Sequence, residues 1–154
     1  MKFEKFVKKV GANGRIYKDK VDNQWLNYGG VLMLIPNGYN VLSAFEVVEL
    51  PERLEELIDS TLKPAYLDRA ILPKADSKAK DIKRVYTDVN GKNDVFISNE
   101  QWALIEAYDR TYIGEITNDD GDVIHHLLVT DEYDDEDFDI KMIVLDNDMS
   151  VYDI

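Results

Sequence analysis

The residues best placed to do something chemical are Asp131-Glu132-Tyr133-Asp134-Asp135-Glu136-Asp137-Phe138-Asp139, where seven carboxylates crowd around two aromatic rings. In an extended segment, alternate side chains on one face lie roughly 6.5 to 7 Å apart, close to the spacing of successive phosphates along one nucleic-acid strand. Asp135, Asp137 and Asp139 are spaced in this way, as are Asp134 and Glu136 on the opposite face. Such a row could occupy a cationic groove in place of nucleic acid, with Tyr133 and Phe138 supplying the apolar anchors that charge alone lacks. The run is therefore the expected partner-binding site. Two blander readings compete with it. One is a charged loop that serves solubility; the other is internal neutralisation against Lys2 to Lys20, where seven bases face two acids.

Other chemistries find less support. The two histidines, His125 and His126, are adjacent. In a strand, neighbouring side chains point to opposite faces, so the pair does not converge on one ion or substrate, and a structural placement is expected. No Gly-x-Ser-x-Gly elbow, Gly-x-x-x-x-Gly-Lys-[Ser/Thr] phosphate loop or Gly-x-Gly-x-x-Gly fingerprint occurs. The stretch Asn118-Asp119-Asp120-Gly121-Asp122 resembles a calcium loop until the register is tested. With Gly121 at the sixth position, Ile116 and Leu127 fall where the first and last carboxylates are required. Asp88-Val89-Asn90-Gly91 fails in the same way, with Tyr86 and Ile97 at those positions. Cysteine is absent, which removes disulfides, thiolate zinc sites and cysteine nucleophiles together. No cofactor, no metal and no enzymatic use of the acidic run is expected, because a run of like charges is ordinarily a solvated face.

The charge is unevenly spread. Residues 1–114 carry 17 Lys+Arg against 17 Asp+Glu, whereas residues 115–154 carry 14 acids against the single base Lys141, so the whole net charge of −13 lies in the last 40 residues. A field of that sign steers cationic partners and gives no reason to bind nucleic acid directly. With 154 residues, 45% of them hydrophobic, the chain can bury a core without staples. The N-terminal ten residues interleave charge with apolar side chains, unlike a signal peptide, and the longest apolar run, Val31 to Ile35, is too short to span a bilayer. A cytoplasmic protein that does not engage a membrane is expected.

The elements that must position these residues follow from periodicity. Phe3, Phe6, Val7 and Val10 mark one face of a short helix, with Gly11 at its cap. Three short strands follow, at Ile16-Tyr17, Trp25-Leu26 and Val31 to Ile35, two of them paired through Gly29-Gly30. Pro51-Glu52 opens a helix with Leu54, Leu57, Ile58 and Leu62 on one face. Residues 65–80 read as looser chain. Ile82 to Thr87 and Val95 to Ser98 form a hairpin around Asn90-Gly91, and Asn99 is the expected N-cap of a helix over Glu100 to Ala107. A second hairpin joins Tyr112 to Thr117 with Val123 to Val129 through Asp120-Gly121; strands at Ile140 to Leu145 and Ser150 to Tyr152 close the chain. The pattern predicts one α+β domain over residues 1–154, a mostly antiparallel sheet of short strands and hairpins with about three helices. Within it, residues 1–114 are charge-neutral and residues 115–154 form a strongly acidic β-hairpin part.

Two stretches are familiar. Lys2-Phe3-Glu4-Lys5-Phe6-Val7-Lys8-Lys9 with Gly14-Arg15-Ile16-Tyr17, Trp25-Leu26, Gly29-Gly30-Val31 and Ile35-Pro36, and then Ala75 to Val85 with Ile97-Ser98-Asn99, resemble small uncharacterised proteins of phages and prophages of gut bacteria. The resemblance covers the first two thirds of the chain and weakens over the acidic part, so it transfers no site residue. It implies a context in which small acidic proteins inhibit host defence, and in character the chain is similar to the anti-CRISPR proteins that act as acidic decoys. The expected function is a non-enzymatic phage-type inhibitor that presents a nucleic-acid-mimicking surface to the basic surface of a nucleic-acid-binding protein in the host cytoplasm. The alternative is a phage structural or assembly protein that self-associates through strand edges or an apolar face around Trp25 and Trp102. A small-molecule pocket lined by tyrosines is a third reading.

Overall fold

The computed structural model describes residues 2–11, 13–36, 46–49, 52–61, 68–71, 83–88, 91–107, 109–130, 140–146 and 149. Along them run α1 (Phe3–Val10), β1 (Arg15–Lys18), β2 (Gln24–Tyr28), β3 (Val31–Leu34), β4 (Glu46–Glu49) and α2 (Glu52–Thr61). Then come β5 (Asp68–Ile71), β6 (Lys83–Asp88), β7 (Asp94–Ser98), α3 (Asn99–Trp102), β8 (Arg110–Thr117), β9 (Val123–Thr130) and β10 (Ile140–Leu145). The described strands form one sheet in the order β4-β1-β2-β3-β10-β9-β8-β5-β6-β7, antiparallel throughout except where β4 runs parallel to β1. This is the α+β fold that the alternation of hairpins and isolated helices implied.

The sheet is covered on both faces. One face holds Ile16, Leu26, Val31, Met33, Leu127, Val129, Met142 and Val144, on which Phe3, Phe6 and Val10 of α1 pack. The other holds Tyr17, Trp25, Leu32, Leu128, Ile143 and Leu145 against Leu54, Leu57 and Ile58 of α2. Successive strand residues point to opposite faces, so a doubly covered strand must be apolar at every position. In β10, Ile140, Met142, Ile143, Val144 and Leu145 are all buried, and the pairing with β9 shifts register between Ile140 and Met142. Strand β10 joins the β1-β2-β3 meander to the β9-β8 hairpin.

Beyond β8 the sheet turns over. Strand β5 pairs with β8 through Asp68 and Arg69 but with β6 through Ala70 and Ile71, so it hands the sheet from one neighbour to the other midway. The β6-β7 hairpin then folds back, placing Tyr86, Val95 and Ile97 in the same core as Leu127, Val129, Met142 and Val144. The Phe96 N–H donates to Asp146 Oδ1 at 2.6 Å, tying the folded-back hairpin to the end of β10.

Four expectations change. All three of the first strands pair with one another in sequence, not two of them, and the turn between β2 and β3 has both glycines at positive φ. The N-cap of α3 is Ser98, not Asn99. Its Oγ accepts from Gln101 N at 3.1 Å while Gln101 Oε1 accepts from Ser98 N at 2.9 Å, a reciprocal capping box. Asn99 Oδ1 accepts instead from Arg84 Nη2 at 3.2 Å. The helix also ends at Trp102 rather than Ala107, because the next bonds tighten to Leu104 N→Gln101 O and Ile105 N→Trp102 O and turn Leu104 into the core. Finally, the looser stretch after α2 contains β5, and β4 precedes α2. Leu62 and the expected strand Ser150 to Tyr152 lie outside the described residues.

Candidate functional site

All nine residues of the expected partner-binding run, Asp131 to Asp139, lie outside the described residues. The structure defines their frame. Strand β9 ends at Thr130 and β10 begins at Ile140, and these two residues are register partners, 2% and 3% exposed. Thr130 pairs on its other side with Arg110, at the start of β8. The acidic run thus enters and leaves through the two central strands of the sheet, with both ends held side by side.

Other described acids of the last 40 residues are placed by the hairpin. Asp119, Asp120 and Asp122 are exposed in the turn joining β8 to β9. Strands of eight residues put that turn about 24 Å from Thr130. The turn organises itself: Asn118 Oδ1 accepts from Asp120 N at 3.0 Å and from Asp122 N at 2.9 Å. Asp146 stands at the same end and accepts from Phe96 N. The acids of the β8-β9 turn are therefore far from Thr130 and Ile140, the residues that flank the acidic run. Of the bases between Lys2 and Lys20, Lys9 pairs with Glu100, which lowers the Glu100 carboxyl from its ordinary range, and Lys18 pairs with Asp22 at 3.2 Å.

The histidines occupy opposite faces, as their adjacency required. His125 is half-buried, its Nε2 3.4 Å from Glu115 Oε2 on the neighbouring strand. His126 shares the face of Ile124 and Leu128, which α2 covers, and is completely buried with no hydrogen-bond partner at either ring nitrogen. Burial, with His125 adding to it, pushes its imidazole down to about 3, so the ring is neutral. Space for it comes from its register partner Gly114, where a Cβ would lie 2.6 Å from His126 Nε2 and 3.2 Å from Leu128 Cδ1. Among the described residues, no group of three or more histidines and carboxylates could hold a metal ion.

Two cavities flank α3. One of about 370 Å³ lies between α1, the β2-β3 turn and the start of α3, lined in part by Phe6, Tyr28, Gln101 and Leu104 and crossed by the Lys9–Glu100 pair. Its central polar group is already engaged, since Gln101 Nε2 donates to Gly29 O at 2.9 Å. The other, about 580 Å³, is lined by Tyr86 of β6, Trp102, Ile105 and Glu106 at the end of α3, Asp109 and Thr111 at the start of β8, and Lys2. The Arg84 guanidinium stacks 3.9 Å from the Trp102 ring centroid. Burial pushes the Tyr86 phenol up to about 12 against the opposing influence of Arg84 and of the hydrogen bond donated by Trp102, so its hydroxyl keeps its proton.

Trp25 and Trp102 do not share a surface. Trp25 is buried on the α2 face with its Nε1 donating to Asp19 Oδ2 at 3.0 Å, while Trp102 packs against the opposite core. Sequence reading missed the second cavity because its walls come from four separate elements. It also missed Gly114, whose position inside a strand was a signal of close packing.

No described helix is long and apolar enough to cross a membrane. Comparison with known proteins finds no matching family model, no similar curated protein and no similar solved structure.

Proposed function

We propose that the chain is a non-enzymatic interaction protein of phage type, acting in the host cytoplasm, whose acidic run Asp131 to Asp139 engages the cationic groove of a host nucleic-acid-binding enzyme and blocks it as a nucleic-acid mimic. The observation that supports this most is the frame of the run: seven carboxylates lie between Thr130 and Ile140, paired and buried residues of the two central strands. A charged segment held at both ends loses less freedom on binding than a tail attached at one, and so retains more of its Coulombic gain as affinity.

The experiment is a capture of host proteins by the full chain at low and high salt, followed by the same capture with Asp134, Asp135, Glu136 and Asp137 changed to Asn or Gln. A groove-binding mimic retains a nucleic-acid-binding protein at low salt, loses it as salt shortens the reach of exposed charges, and loses it in the neutralised variant. Unchanged capture by that variant refutes the proposal.

A further inference from the structure

We propose that α2 is an acid-released cover: a proton taken up by His126 lifts this helix from the sheet and exposes the apolar face beneath it, while the opposite core stays closed. Geometry makes the ring the trigger. His126 is completely excluded from solvent, and neither of its ring nitrogens has a hydrogen-bond partner. The neutral ring tolerates that setting at modest cost, whereas an imidazolium brings a charge and two N–H donors that burial without partners penalises far more. The ring is also confined. It projects from β9, which pairs with β8 on one side and β10 on the other, and it fills the space over its register partner Gly114, where a Cβ would lie 2.6 Å from Nε2. Its way to water is on the face of the sheet where Leu54, Leu57 and Ile58 of α2 pack.

Among the described residues, no carboxylate bonds the ring to hold a proton in place. The titratable side chains on its own face are the phenols of Tyr17 and Tyr112. On α2, Glu55 is half-buried and Glu56 exposed. His125 and its neighbour Glu115 lie on the opposite face, and Asp146, after β10, accepts from Phe96 N. Of these groups His125 is the one that acts on the His126 proton, and it opposes it. The two faces are also held unequally. The opposite core is closed by α1 and the folded-back β6-β7 hairpin, and it is cross-tied where Lys2 N donates to Leu104 O at 2.9 Å and Phe96 N to Asp146 Oδ1 at 2.6 Å. Releasing α2 gives up the contacts of Leu54, Leu57 and Ile58 and leaves those ties intact, so this opening lies below global unfolding in free energy.

The test is amide hydrogen exchange of the full chain at pH 7 and pH 5, with rates corrected for the intrinsic pH dependence of exchange. The ring titrates at about 3 when covered and at its ordinary 6.5 when released, so the uncovered state gains population as pH falls below 6.5. Protection over Glu52–Thr61 should therefore fall by about twentyfold to thirtyfold between the two pH values, and protection over Phe3–Val10 by less than about threefold. His126→Leu and the aromatic His126→Phe should each abolish the fall, and His125→Gln, on the opposite face, should retain it. The proposal is overturned if α1 and α2 lose protection to the same extent, if α2 keeps its protection at pH 5, if either variant without the imidazole still shows the fall, or if His125→Gln removes it.

Discussion

The two ends of the β8-β9 hairpin are both acidic and structurally unlike. At one end Asp119, Asp120 and Asp122 ride on an exposed turn whose backbone is tied to Asn118. At the other, the run Asp131 to Asp139 is framed by Thr130 and Ile140, buried register partners of two central strands. Charge density alone does not distinguish them. What differs is whether the charge is joined at both ends to buried strand residues, an anchoring that lowers the cost of ordering it in an interface.

The largest expected effect breaks that comparison directly. Neutralising Asp134, Asp135, Glu136 and Asp137 should slow association with the cationic partner by on the order of tenfold to a thousandfold, read as the on-rate at low salt. Neutralising Asp119, Asp120 and Asp122 should leave it within a factor of about two, since that turn lies well beyond a Debye length of roughly 8 Å from Thr130, where the run begins. Equal losses from both sets would show a diffuse field instead of a site.

Next in size is the middle of the hairpin, which sets the separation of its ends. Gly114→Ala should lower stability by about 1 to 3 kcal/mol in urea denaturation, because the new methyl meets His126 Nε2 at 2.6 Å on a fully buried ring. In a His126→Ala background the same change should cost much less, and that coupling identifies the ring as the obstacle. If the two costs simply add, the packing account of Gly114 is wrong.

The buried imidazole also makes stability depend on pH. The folded value of about 3 lies below the ordinary 6.5, so the unfolded chain takes up the proton first. Stability from this group is complete above about pH 6.5 and is lost as pH falls toward 3, at about 1 kcal/mol per pH unit. His126→Leu should flatten the slope and, by removing two unpartnered nitrogens, raise stability at pH 7 by about 1 kcal/mol. The smallest effect is that of Asn118→Ala, which should cost about 1 kcal/mol or less through two lost turn bonds and leave partner binding unaltered.

Much of the fold was legible because its signals are local. The spacing of Phe3, Phe6, Val7 and Val10, the Gly29-Gly30 turn and the apolar run Met142 to Leu145 each specify an element from a few neighbouring residues. Strands β4 and β5 were not legible. Glu46-Val47-Val48-Glu49 does not alternate, and Asp68-Arg69-Ala70-Ile71 is a four-residue strand that changes pairing partner midway. Ser98 and Gln101 carried a capping-box spacing that Asn99 obscured. The site was legible only in part: composition marked the acidic run, but its division from the acids of the β8-β9 turn, and the meeting of Tyr86, Trp102 and Asp109, depend on topology.

The placement of β10 has a kinetic consequence. The β1-β2-β3 meander and the β8-β9 hairpin each close over short loops, but they meet only through β10, whose partner Val31 to Met33 lies more than a hundred residues earlier. The Asp146 bond that holds the folded-back β6-β7 hairpin must wait for the same strand, since Asp146 directly follows it. Local pieces can therefore assemble quickly, while the closing step bears the loop entropy of a long chain. Until β10 inserts, both of its future neighbours expose an unpaired edge, and crowding at that stage would favour joining two copies through β3 or β9 over completing one.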